Sequence, residues 1–113
     1  MSNSMGLEKF CAGYADKLSG VLSSSDWSGV SQLGKDMHEC WLAGRQVFFC
    51  GNGGSAGNAI HLANDFLYGI AKRTGAGLKV QALSANPAVM TCLANDVGYD
   101  YIYSEQLAVL AES

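Results

Sequence analysis

The chain has 113 residues, 49% of them hydrophobic, with a formal net charge of -3 and a pI near 5.1. That is enough for one domain with a modest core and too apolar for a disordered chain. The acidic balance argues against non-specific binding of nucleic acid or anionic membrane.

Leu7, Phe10, Cys11, Tyr14, Leu18 and Val21 recur at helical spacing, which predicts an amphipathic helix from Met5 to about Ser23. Ser23-Ser24-Ser25-Asp26 is a break ending in residue types that cap helices. A second helix follows, with Trp27, Val30, Leu33, Met37, Cys40 and Trp41 on one side, and ends near Gly44. His38 on this helix reads as a surface or boundary residue. Two such helices carry more apolar surface than a small sheet can cover. Self-association through them and ordinary packing on the chain's own sheet both remain open.

Gln46 to Cys50 reads as a buried strand. It runs into Gly51-Asn52-Gly53-Gly54-Ser55-Ala56, and Ser55 opens a third helix reaching about Ile70. A strand, a glycine elbow and a helix start form an anion site, because glycines let the backbone approach while free N–H groups point outward. The elbow holds no Lys or Arg. It lacks the Lys-Ser/Thr ending of a P-loop. A dinucleotide loop would want an acid at the tip of the next strand, but Leu78 to Leu83 ends in Ser84-Ala85-Asn86, so a dinucleotide is disfavoured. A tight turn with glycines for packing alone is the plainer alternative.

At about 100° per residue, Asn58, His61, Asp65 and Tyr68 fall within roughly an 80° arc of the third helix. Ala59, Ile60, Ala63, Leu67 and Ile70 lie on another side, suited to packing on the sheet. His61 and Asp65 are four residues apart, so the carboxylate can orient and charge the imidazole, or both can bind one metal ion. Two ligands do not complete a zinc site, and a structural hydrogen bond explains the same pair.

Thr74-Gly75-Ala76-Gly77 is a flexible link before the second strand, Leu78 to Leu83. Asn86-Pro87 opens a helix bearing Val89, Met90, Leu93 and Val97, which Gly98 ends. A last helix covers about Tyr101 to Ala111. Asn95 and Asp96 can hydrogen-bond sugar hydroxyls, or simply form a polar helix end. Tyr99, Tyr101 and Tyr103 read as packing residues. The order α-α-β-α-β-α-α implies a parallel α/β sheet with right-handed crossovers. Two strands are fewer than such sheets usually have.

Cys11, Cys40, Cys50 and Cys92 are scattered in apolar contexts and form no C-x-x-C pair, so they read as reduced core thiols. No apolar run reaches membrane-spanning length, and Met1-Ser2-Asn3-Ser4 begins no signal peptide. The cytoplasm is the expected compartment.

Phe48-Phe49-Cys50-Gly51-Asn52-Gly53-Gly54-Ser55-Ala56, His61 six residues after Ser55, and Asn95-Asp96-x-Gly98-Tyr99 together resemble the phosphoheptose isomerases of the sugar isomerase (SIS) superfamily. The resemblance runs over almost the whole chain. It implies a five-stranded parallel sheet flanked by helices, a flavodoxin-like three-layer α/β/α fold, preceded by two long helices. The expected organisation is one partial domain, with a helical pair over 1–44 and the first two β-α units over 45–113.

The implied reaction is the aldose–ketose isomerisation of sedoheptulose 7-phosphate to glycero-manno-heptose 7-phosphate, early in heptose supply for surface polysaccharide. The resemblance assigns Asn52, Gly53, Gly54, Ser55, Asn95 and Asp96 to the phosphosugar. It assigns His61 and Asp65 to a zinc ion and to the acid–base step. It also implies a homo-oligomer, dimer or tetramer, with the leading helices in the interfaces. Asp65 stands where the family has Glu, one methylene longer. The later Ser/Thr loop, Gln and His of the family site lie beyond Ser113, so these 113 residues alone are expected not to turn over substrate. The other reading is a non-catalytic phosphosugar-binding or regulatory SIS module acting through protein partners, which the change to Asp65 favours.

Overall fold

A computed structural model describes residues 2–112. Its elements are α1 (Ser2–Ser24), α2 (Ser28–Ala43), β1 (Gln46–Phe49), α3 (Gly54–Asn64), a π turn (Asp65–Gly69) and α4 (Ile70–Thr74). β2 (Lys79–Ala82), α5 (Pro87–Asp96), a 3-10 turn (Tyr99–Tyr101) and α6 (Ser104–Leu110) complete it. Two compact units divide inside α2, at Gly34/Lys35.

In the first unit, polar side chains close the end of α1. Ser23 and Ser24 hydroxyls donate back to the carbonyls of Ser19 and Gly20, and Ser25 donates to that of Val21. Such bonds satisfy carbonyls that a helix end leaves without partners. Asp26 then turns the chain into α2, its carboxylate accepting from the Ser28 N–H at 2.9 Å and from the Ser28 hydroxyl at 3.0 Å. Leu7, Phe10, Tyr14, Leu18 and Val21 are all exposed.

In the second unit, β1 and β2 pair in parallel, with Val47 opposite Val80 and Phe49 opposite Ala82. The α3–α4 crossover joins them. β2 alternates, burying Val80 and Ala82 and exposing Lys79 and Gln81. Ala59, Leu78, Val80, Ala82, Leu83 and Ile102 form the buried core. Phe66, from the π turn, packs its ring 5.9 Å from that of Phe49. On the other face, Gln81 lines a cleft with Val89 and Leu93 of α5 and Gln106 and Val109 of α6. Helices thus accompany both faces of the sheet, as a three-layer fold requires. Trp41, near the end of α2, ties its indole N–H to the Ala76 carbonyl at 3.0 Å.

Several expectations need correction. β1 is half-buried along its length, and Cys50 beyond it is exposed. Cys11 and Cys92 are exposed too, and Cys40 is intermediate; all four are free thiols but not core residues. A two-stranded sheet has too little area to bury them. The third helix is not one regular helix, since a π turn interrupts it at Asp65. Ile60 and Leu67 are exposed rather than packed on the sheet. Ala56, Ala59, Ala63 and Phe66 make the covered face, where small side chains let the helix approach closely.

Candidate functional site

The site begins where β1 ends. A Cβ on Gly51 would lie 2.6 Å from the main-chain carbon and oxygen of Ser55, so only glycine permits this close approach. Gly53 has φ +58 and ψ -121, a backbone conformation that side chains exclude. These two glycines fold the elbow back onto the first turn of α3. Ser55 N–H and Ala56 N–H bond to the Asn52 and Gly53 carbonyls at 3.0 and 3.1 Å. No side chain caps α3. The helix start therefore presents its positive end to solvent, with no Lys or Arg between Arg45 and Lys72. An anion bound here would meet no cationic side chain and would rely on the helix dipole, the Ser55 hydroxyl and those elbow N–H groups not already bonded to the Asn52 and Gly53 carbonyls.

Buried polar groups brace this edge of the sheet. Ser84, just past β2, is buried and donates its hydroxyl to the Ala56 carbonyl at 3.0 Å. The buried Gln106 amide donates to the carbonyls of Leu83 and Ile102. Neither residue stands out in the sequence, because the bonds to Ala56 and Leu83 span 28 and 23 residues and leave no local signal. Tyr99 donates its hydroxyl to Asn52 Oδ1 at 3.0 Å, and Tyr103 donates to the Gly51 carbonyl. They bond to the glycine loop rather than serving only as packing.

His61 Nε2 lies 3.3 Å from Asp65 Oδ2, and both side chains are largely exposed. At about 1.5 Å per residue, His61 stands roughly 9 Å along α3 from Ser55. The π turn begins at Asp65. The regular 3.6-residue turns that would align Tyr68 with His61 stop there. Two ligands about 2.0–2.1 Å from a tetrahedral ion are themselves about 3.3 Å apart, so the pair matches two corners of a zinc site. Among the described residues no cluster of three His, Cys, Asp or Glu side chains completes it. The donor set therefore suits half of a site.

At the end of α5, Asn95 Nδ2 donates to Asp96 Oδ1 at 2.9 Å, and the Cys92 thiol donates to Asp96 Oδ2 at 3.3 Å. The amide of Asn95 and then the thiol hold the Asp96 carboxyl below the usual range, and Asp96 pushes the Cys92 thiol up. Tyr99, three residues on, links this segment to the loop through Asn52.

A family model, SIS domain, matches residues 9–112. The chain belongs to the SIS domain family. Among curated proteins, this SIS chain is 38% identical over 85 residues to the phosphoheptose isomerase of Shewanella piezotolerans (strain WP3), covering 74% of this chain and 42% of that protein. It is 33% identical over 95 residues to the phosphoheptose isomerase of Akkermansia muciniphila, covering 84% and 49%. The chain thus spans about half the length of the curated relatives it matches.

Among solved structures, the phosphoheptose isomerase from Neisseria gonorrhoeae superposes with a TM-score of 0.76 at 27% identity, covering 95% of this chain and 55% of that one. The one from Francisella tularensis reaches 0.80 at 24% identity, over 96% and 57%. The latter likeness speaks to fold alone.

Proposed function

We propose that this SIS chain is the phosphosugar-binding part of an aldose–ketose isomerase acting on sedoheptulose 7-phosphate or a close phosphosugar. One observation carries the reading: the Gly51–Ser55 elbow opens the same helix that presents His61 and Asp65 as a pair. A phosphate at the elbow would extend its sugar along α3 toward that pair. Relatives named phosphoheptose isomerase support the substrate class.

In this mechanism Asp65 takes the proton from the carbon beside the carbonyl while the carbonyl oxygen gains a proton, giving an enediol. Asp65 then returns its proton to the former carbonyl carbon as the other enediol oxygen loses its own and becomes the new carbonyl. His61, 3.3 Å away, orients the carboxylate. One zinc ion would take the place of that direct contact, held by His61 Nε2 and Asp65 Oδ2 with further ligands from elsewhere, and would supply polarisation of the sugar oxygens. Asn52 and Ser55 would bind the phosphate end, and Asn95 and Asp96 the sugar hydroxyls. The compartment we infer is the cytoplasm, and the role heptose supply for surface polysaccharide. No helix among the described residues is long and apolar enough to cross a membrane. The exposed apolar stripes of α1 and α2 support a homo-oligomer, dimer or tetramer.

Asp65 in place of the longer Glu is the one observation favouring a non-catalytic module. Thermal unfolding tests the main reading. Sedoheptulose 7-phosphate should raise the midpoint of the chain, since a ligand for the native state alone must stabilise it. Ser55→Ala should lose most of that shift. An unchanged midpoint at millimolar sugar phosphate would refute the reading.

A further inference from the structure

We infer that Tyr99 and Tyr103 are positioning residues for the anion loop, holding Asn52 so that its amide nitrogen is offered to the ligand. The inference rests on the phosphosugar reading and extends it to the residues that aim one ligand donor. Tyr103 donates its hydroxyl to the Gly51 carbonyl and lies 3.4 Å from Asn52 Oδ1. Tyr99 donates to that same Oδ1 at 3.0 Å. The tyrosines come from a segment 47 to 52 residues away in sequence, so they bridge two separate loops.

An asparagine amide has one accepting and one donating end, and a free side chain can turn either outward. Here Oδ1 is occupied, and among the described residues Nδ2 has no partner. Asn52 therefore offers two N–H donors beside the main-chain N–H groups of the elbow. All of them select an oxygen acceptor such as a phosphate or a sugar oxygen. Tyr99 is 60% exposed, so its ring contributes little to the core and its hydroxyl bond is the feature that matters. An open cleft of about 240 Å³, lined by Asn52, Tyr99, Asp100, Ile102 and Tyr103, runs along this contact.

The test is a double-mutant cycle on sedoheptulose 7-phosphate binding by the 113-residue chain. Tyr99→Phe should weaken binding roughly 5-fold, the loss of about one hydrogen bond, with the ligand-free unfolding midpoint unchanged. In an Asn52→Ala background the same substitution should change binding less than about twofold, because the residue it acts through is gone. Equal factors in both backgrounds, or no effect of Tyr99→Phe in the wild type, would overturn the inference while leaving the phosphosugar reading intact. A lowered ligand-free midpoint with equal factors would mark Tyr99 as merely structural. Wild-type chain that binds no sugar phosphate would sink the phosphosugar reading, and this inference with it.

Discussion

At the residue scale, the loop's conformation depends on the missing side chain of Gly51. A methyl group there would meet the Ser55 main chain at 2.6 Å, and backbone cannot swing aside as a flexible side chain can. Gly51→Ala should cost about 1–3 kcal/mol of stability, as overpacking does, read as a lower denaturant midpoint, and should weaken sugar phosphate binding as the elbow opens. Cys92 gives a second prediction. Its thiol donates to Asp96, which raises its pKa and lowers the thiolate fraction near neutral pH. Iodoacetamide should therefore modify Cys92 more slowly than an ordinary exposed thiol at pH 8, and Asp96→Asn should speed it. Equal rates before and after that substitution would contradict the pairing. The glycine loop and the His61–Asp65 pair were legible in the sequence because each is local, set by neighbours one to four residues apart. The parts played by Tyr99, Tyr103, Ser84 and Gln106 were not, because the bonds that join them to the site edge reach 23 to 52 residues along the chain.

At the element scale, the start of α5 is easy to read from the sequence, whereas the start of α6, expected near Tyr101 and found at Ser104, and the interior of the third helix are not. Asn86 caps α5 as its residue type predicts, its Oδ1 accepting from Ala88 and Val89 N–H, with Pro87 at the first helical position. The π turn at Asp65–Gly69 has no marker of its own in the sequence. Regular spacing therefore misplaces Leu67, inside the turn, whereas Ile60 lies before it in the regular part of α3 and is exposed because the two-stranded sheet leaves that side uncovered. Such wide turns often accompany functional positions, and this one starts at the carboxylate proposed as base. Asp26 offers an element-scale test. The Ser28 N–H, then the Ser28 hydroxyl, hold its carboxyl below the usual range. A carboxyl depressed in the folded state stabilises above its unfolded pKa and loses that contribution as pH falls through the folded value. Helicity by circular dichroism should accordingly drop as pH falls below about 4. Asp26→Asn, which keeps the accepting oxygen, should remove this group's share of the drop. An identical acid transition in both proteins would contradict the assignment.

At the scale of the whole molecule, the sequence order correctly implied a parallel two-stranded sheet with helices around it. It overestimated how much that sheet buries, since the depth of a strand depends on what covers it. The apolar faces of α1 and α2, with Phe10 and Trp27 exposed, are the basis for an oligomer. Light scattering should report more than one chain per particle, and Phe10→Asp should lower that number. A monomer at high micromolar concentration would refute self-association without touching the site. The proposed function needs the elbow after β1 to bind the phosphate of a phosphosugar. Nitrogen-15 NMR of the labelled chain, titrated with sedoheptulose 7-phosphate, tests it most directly. The amide signals of Gly53, Gly54 and Ser55 should shift most and saturate together. Signals there that stay fixed while the ligand reaches millimolar concentration would contradict it.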